Sequence, residues 1–187
     1  MAGGRPARAG TLALGLVLLA GLLAGCAKPS VEFVSYKDPY FPEKIHIQFE
    51  DCAYWIEPGG DIRVAGRATQ TTDNGTITHY LLVHIFWKPK PGKTYANATA
   101  TDATYRYILA GDDGAALYLG TGFAFPRDPS AGKMLVGLDQ ARLRLESKRG
   151  EVPDLLGDTR LSGKVVARND AAQAVDLIRE AELRVNP

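Results

Sequence analysis

Alternation of apolar and polar residues dominates the chain from residue 44 onward. Ile45, Ile47 and Phe49 interleave with His46, Gln48 and Glu50, the period of two that marks a half-buried strand. Extended sequence resumes at Tyr54-Trp55-Ile56 and stops at EPGGD (57–61), a turn by composition. Ile62, Val64 and Gly66 then alternate with Arg63, Ala65 and Arg67, and Asn74-Gly75 supplies a hairpin turn. The stretch 80–87 is apolar on both sides. Leu81, Val83, Ile85 and Trp87 point one way; Tyr80, Leu82, His84 and Phe86 point the other. Such a strand belongs at the centre of a sheet covered on both faces. KPKPG (88–92) ends it, because two prolines cannot sustain a ladder. The small polar residues 93–104 read as a surface loop.

Four more alternating or apolar runs follow, at 105–109, 116–125, 142–146 and 161–167. Gly120 and Gly122 inside the second predict a bulge or a close backbone approach. The tail is ambiguous in period. Asp170 suits a helix cap, yet Val175, Leu177, Ala181, Leu183 and Val185 share one strand face, broken only by Arg179. Period two predicts a last strand over 171–183, with at most a helical turn before it. About eight strands with frequent turns predict an all-β domain. An antiparallel β-sandwich of Ig or fibronectin-III type is the first expectation. An up-and-down barrel of lipocalin type is the alternative.

The N-terminus has a different pattern. Arg5 and Arg8 precede an uncharged apolar run over 11–25, the layout of a secretory signal peptide. Leu23-Ala24-Gly25-Cys26 closes it. These four residues resemble the lipobox of bacterial lipoproteins. The resemblance implies cleavage before Cys26, with Leu23, Ala24 and Gly25 recognised by the signal peptidase, and acylation of Cys26. Two or more acyl chains hold a protein firmly on a bilayer, at about 0.8 kcal/mol per buried CH₂. By the sorting habit of that family, Ala27 in place of Asp implies the outer membrane, facing the periplasm, if the cell is Gram-negative. The expected organisation is a signal at 1–25, a lipidated Cys and tether at 26–43, and one domain at 44–187.

Composition narrows the partners. The 187 residues carry 22 basic and 21 acidic side chains. Loss of Arg5 and Arg8 with the 25-residue signal leaves 162 residues at net charge −1. A near-neutral chain with interleaved signs has no basic face for nucleic acid. With Cys26 acylated, Cys52 has no intramolecular partner and reads as a small core residue.

No motif announces chemistry. His79 and His84 are five apart on one strand, so they face opposite sides and cannot share a metal; His46 has no HxH or HExxH context. No Gly-x-Ser-x-Gly turn is present, and PGKT (91–94) lacks the first glycine of a P-loop, Trp87 holding its place. Asp112-Asp113-Gly114 reads as a tight turn. No cofactor, metal or catalytic residue is therefore expected. The aromatics Tyr36, Tyr40, Trp55, Trp87 and Tyr95 stand out as a candidate partner or ligand surface, since Tyr and Trp favour interfaces. The favoured role is a non-catalytic accessory or assembly module that binds another envelope protein. A module for a glycan or small apolar ligand is second, and an envelope hydrolase third. A cavity inside a closed barrel favours the ligand; a filled core with an exposed apolar patch favours the protein partner.

Overall fold

The computed structural model describes residues 29–72, 75–86, 101–152, 154 and 156–186. Among these, the strands are β1 (Val31–Ser35), β2 (Glu43–Ile47), β3 (Asp51–Ile56), β4 (Ile62–Thr72), β5 (Gly75–Ile85), β6 (Ala103–Ala110), β7 (Gly114–Pro126), β8 (Lys133–Gly150) and β9 (Thr159–Asn169). One helix follows, α1 (Ala171–Val185). From β3 to β9 each strand pairs antiparallel with the next; β9 then meets β3 in parallel through Ala53↔Arg168 and Tyr54↔Asn169. The sheet closes into a seven-stranded barrel. The all-β expectation holds, and the barrel alternative fits in place of the sandwich. Strand length explains the outcome. β8 runs 18 residues and pairs along one edge with β7 and along the other with β9, which leaves no edge at which to split two layers.

Bending such long strands needs bulges. The β7–β8 register slips between Leu117 and Tyr118 and between Thr121 and Phe123, and the β8–β9 register slips between Leu138 and Ala141. Gly120 and Gly122 sit where β7 and β8 come closest. A Cβ on Gly120 would run into the Arg142 carbonyl oxygen, and one on Gly122 into the Ala141 backbone. The close approach expected of these glycines is present.

The β1–β2 hairpin adds to the wall. β1 pairs with the first half of β9, and Val31 and Phe33 are fully buried. The folded part therefore reaches back to residue 31, within the segment 26–43 expected as a tether. β2 pairs with β1, while β3 joins β4 only from Asp51↔Arg67 onward. A gap lined by His46, Ile47, Gln48, Ala68, Thr69 and Gln70 lies between β2 and the far half of β4.

Strand β5 shows how the core is divided. Leu81, Val83 and Ile85 pack inside the barrel, and Tyr80 and Leu82 lie outside under α1, as the two apolar faces predict. The tail is helical, not a strand. Ala174, Leu177 and Ala181, at helical spacing, are buried against the barrel, while Val175 and Leu183 of the expected strand face are 42% and 59% exposed. Asp170 caps the helix by accepting from the Gln173 N–H at 2.9 Å. Alanine-rich propensity and that cap outweigh the period-two pattern. Polar contacts then fix α1 to the wall: Tyr80 donates to Glu180 at 2.7 Å, and Arg67 bridges Asp51 at 2.6 Å and Glu180 at 3.0 Å. Among the described residues, no helix is long and apolar enough to cross a membrane.

Candidate functional site: the cavity in the barrel mouth

The end of β4, the start of β5, the β6–β7 connection and the described residues after β8 gather at one end of the barrel, together with the start of β2. There the core stops short of filling the interior, leaving a cavity of about 590 Å³. Ile45, Ile77 and Leu109 form apolar walls, and Val152 and Leu156 of the β8–β9 loop lie over it. That loop is pinned down. Ser35 Oγ donates to the Leu156 carbonyl at 2.8 Å, and Tyr118 donates to Asp154 Oδ1 at 2.6 Å. Burial works against the Asp154 charge. The hydrogen bonds from Tyr118, Gly157 and Leu156 and the nearby Lys37 outweigh it, so its carboxyl lies below the ordinary value.

His79 and Tyr107 supply the polar groups at the cavity's inner end. Both point into the barrel because each alternates in phase with apolar inward residues, His79 with Leu81 and Tyr107 with Leu109. Tyr107 is 1% exposed, packs its ring tilted against Phe33 with centroids 4.4 Å apart, and places its hydroxyl 2.6 Å from His79 Nδ1. His79 is 3% exposed, and burial pushes its pKa down from 6.5 to about 4. Burial likewise holds Tyr107 protonated. A neutral imidazole has one donor and one acceptor nitrogen. The phenol proton has its acceptor when donated to Nδ1, an assignment that puts the imidazole proton on Nε2. Nε2 has no hydrogen-bond partner among the described residues. His79 also lines the gap between β2 and β4, so it stands between the mouth and the side opening.

Histidine and carboxylates meet elsewhere too. On the outer face, His84 Nε2 lies 2.7 Å from Asp61 Oδ2, and Glu57 Oε1 accepts from Arg63 Nε at 2.8 Å. Ligand atoms of Glu57, Asp61 and His84 lie within 4.8 Å of one another. Arg63 already supplies the positive charge, and the group ties the β3–β4 turn to β5. His46 faces Glu32 at 3.5 Å on the exposed hairpin. No serine is hydrogen-bonded to either ring among the described residues. Cys52 is buried, and desolvation pushes its thiol up to about 12, which suits a core residue and not a nucleophile.

The residues singled out by sequence do not form one surface. Tyr36 and Tyr40 lie at the β1–β2 connection, 38% and 87% exposed, next to Phe41 at 79%. Trp55 packs against the cluster beneath α1, away from that connection. Trp87, Tyr95, the segment 88–100 and Leu23, Ala24, Gly25 and Cys26 lie outside the described residues. Most of the remaining tyrosines are core. Tyr54, Tyr80, Tyr105, Tyr107 and Tyr118 are buried, and Tyr105 donates to the Phe123 carbonyl at 2.6 Å. His79 belongs to no sequence motif; its signal in the sequence is an inward phase in an apolar strand. In comparisons with protein-family models, curated proteins and solved structures, none matches the chain.

Proposed function

We propose that this chain is a lipid-anchored envelope module whose barrel mouth binds a small ligand. The observation that carries it is the cavity of about 590 Å³, lined by His79, whose buried Nε2 has no partner among the described residues. Pockets for small molecules run from about 300 to 1,000 Å³ and pair apolar walls with few polar groups. Acyl chains on Cys26 provide the anchor. From Cys26 to Val31 the chain spans at most about 17 Å, which would hold the barrel against the membrane surface, in the outer membrane if the cell is Gram-negative.

A second reading, the accessory module that binds another envelope protein, is favoured by the exposed Tyr40 and Phe41 at the β1–β2 connection. Protein purified from native membranes and extracted with organic solvent separates the two. Mass spectrometry is expected to find a stoichiometric small molecule in the wild type and clearly less in Ile77→Trp, which sets an indole into the ligand's space. An empty extract, beside an envelope protein that crosslinks to the wild type and not to Tyr40→Ala/Phe41→Ala, would favour the second reading. Cys26→Ala is expected to lose acyl labelling and leave the membrane; persistent labelling would remove the anchor from the proposal.

A further inference from the structure

We infer that the barrel mouth is selective for small amphipathic amines bearing a hydrogen-bond acceptor, the rim carboxylates facing the ammonium and His79 donating to the acceptor. This rests on the reading of the cavity as a ligand site and adds the class of ligand. Charge carries the first half. Glu43, Asp112, Asp113 and Glu151 line the cavity and are exposed, and no lysine or arginine lines it among the described residues. Four carboxylates around a low-dielectric opening set a negative potential there. They do not converge as metal ligands do. Among the described residues, the group close enough to hold an ion is Glu57, Asp61 and His84 on the outer face. A spread of charge suits an organic ammonium over a compact dication.

The second half is His79. Its Nδ1 is occupied by Tyr107, and its Nε2 has no partner among the described residues although the residue is 3% exposed and lines the cavity. Buried polar groups are nearly always satisfied, so an orphan at a cavity wall points to a ligand atom that completes it. With the proton on Nε2, that atom is an acceptor: a hydroxyl, ether or carbonyl oxygen. Ile45, Ile77 and Leu109 line the same cavity, Leu109 directly across from His79, and require an apolar body joining the two ends.

Four six-carbon compounds separate these features: aminohexanol, hexylamine, hydroxyhexanoate and neutral hexanol. Calorimetric titration of the purified protein, with injection into buffer as the blank, is expected to rank aminohexanol first. Hydroxyhexanoate should bind about tenfold more weakly, and hexylamine about fivefold more weakly. In Glu43→Gln/Asp112→Asn/Asp113→Asn/Glu151→Gln the preference over hydroxyhexanoate should vanish. In His79→Leu the preference over hexylamine should vanish, and His79→Gln, which keeps an N–H donor, should retain it if the leucine variant does not fold. Hydroxyhexanoate binding as tightly as aminohexanol, while hexanol still binds, would overturn the inference and leave the ligand site standing. Preference unchanged in His79→Leu would overturn the role of His79. Heat indistinguishable from the blank for all four, hexanol included, would overturn both.

Discussion

Leu177→Asp is expected to destabilise the protein by about 4 kcal/mol or more. The side chain is 4% exposed between α1 and the barrel wall, in one cluster with Tyr80, Leu82 and Ile108. Truncating a buried leucine costs about 2–5 kcal/mol, and an unpaired carboxylate in its place adds a desolvation cost. Glu180 stands three residues on along α1, so the new charge has an acidic neighbour on the helix. Val175→Asp and Leu183→Asp, at positions 42% and 59% exposed, should change stability by about 0.5 kcal/mol or less. Urea unfolding followed by circular dichroism reads all three. Equal costs at 175, 177 and 183 would contradict the helix and return these residues to one strand face.

The second large effect depends on pH. His79 stays neutral in the folded barrel down to about pH 4, whereas the unfolded chain takes up a proton below 6.5. A base whose folded pKa is depressed contributes fully above the unfolded value and loses that contribution as pH falls toward the folded one. Wild-type stability relative to His79→Leu should therefore fall by about 3 kcal/mol between pH 7 and pH 4. Asp102 acts with the opposite sign. Burial raises its carboxyl, so its contribution is present at low pH and declines as pH rises. Both proteins carry Asp102, and the difference between them isolates His79. Parallel stability curves for the two proteins across this range would show that the imidazole is solvated or charged in the fold.

Period two made most of the wall legible. Strand β5 is the clearest case, since two apolar faces announced both an interior and a covering layer. Closure was not legible, because it depends on β9 reaching β3 through two residue pairs far apart in sequence. The helix was misread for a related reason: five apolar residues fit a strand face, and only burial shows that Leu177 is covered while Val175 is not. β1 was hidden by its length. Five residues beside a proline-rich loop give too short a window for alternation to stand out. The site was half legible. The inward phase of His79 follows from Leu81 and Val83, but the Tyr107 contact joins strands 28 residues apart, and the cavity exists only because the core ends below it.

Binding of the neutral dye N-phenyl-1-naphthylamine tests the ligand site most directly. The wild type is expected to bind it saturably, with the emission rise of an apolar environment. Ile77→Trp, with an unchanged circular dichroism spectrum, is expected to bind the dye more weakly. Equal dye binding by the two proteins would place the apolar site somewhere other than the barrel mouth.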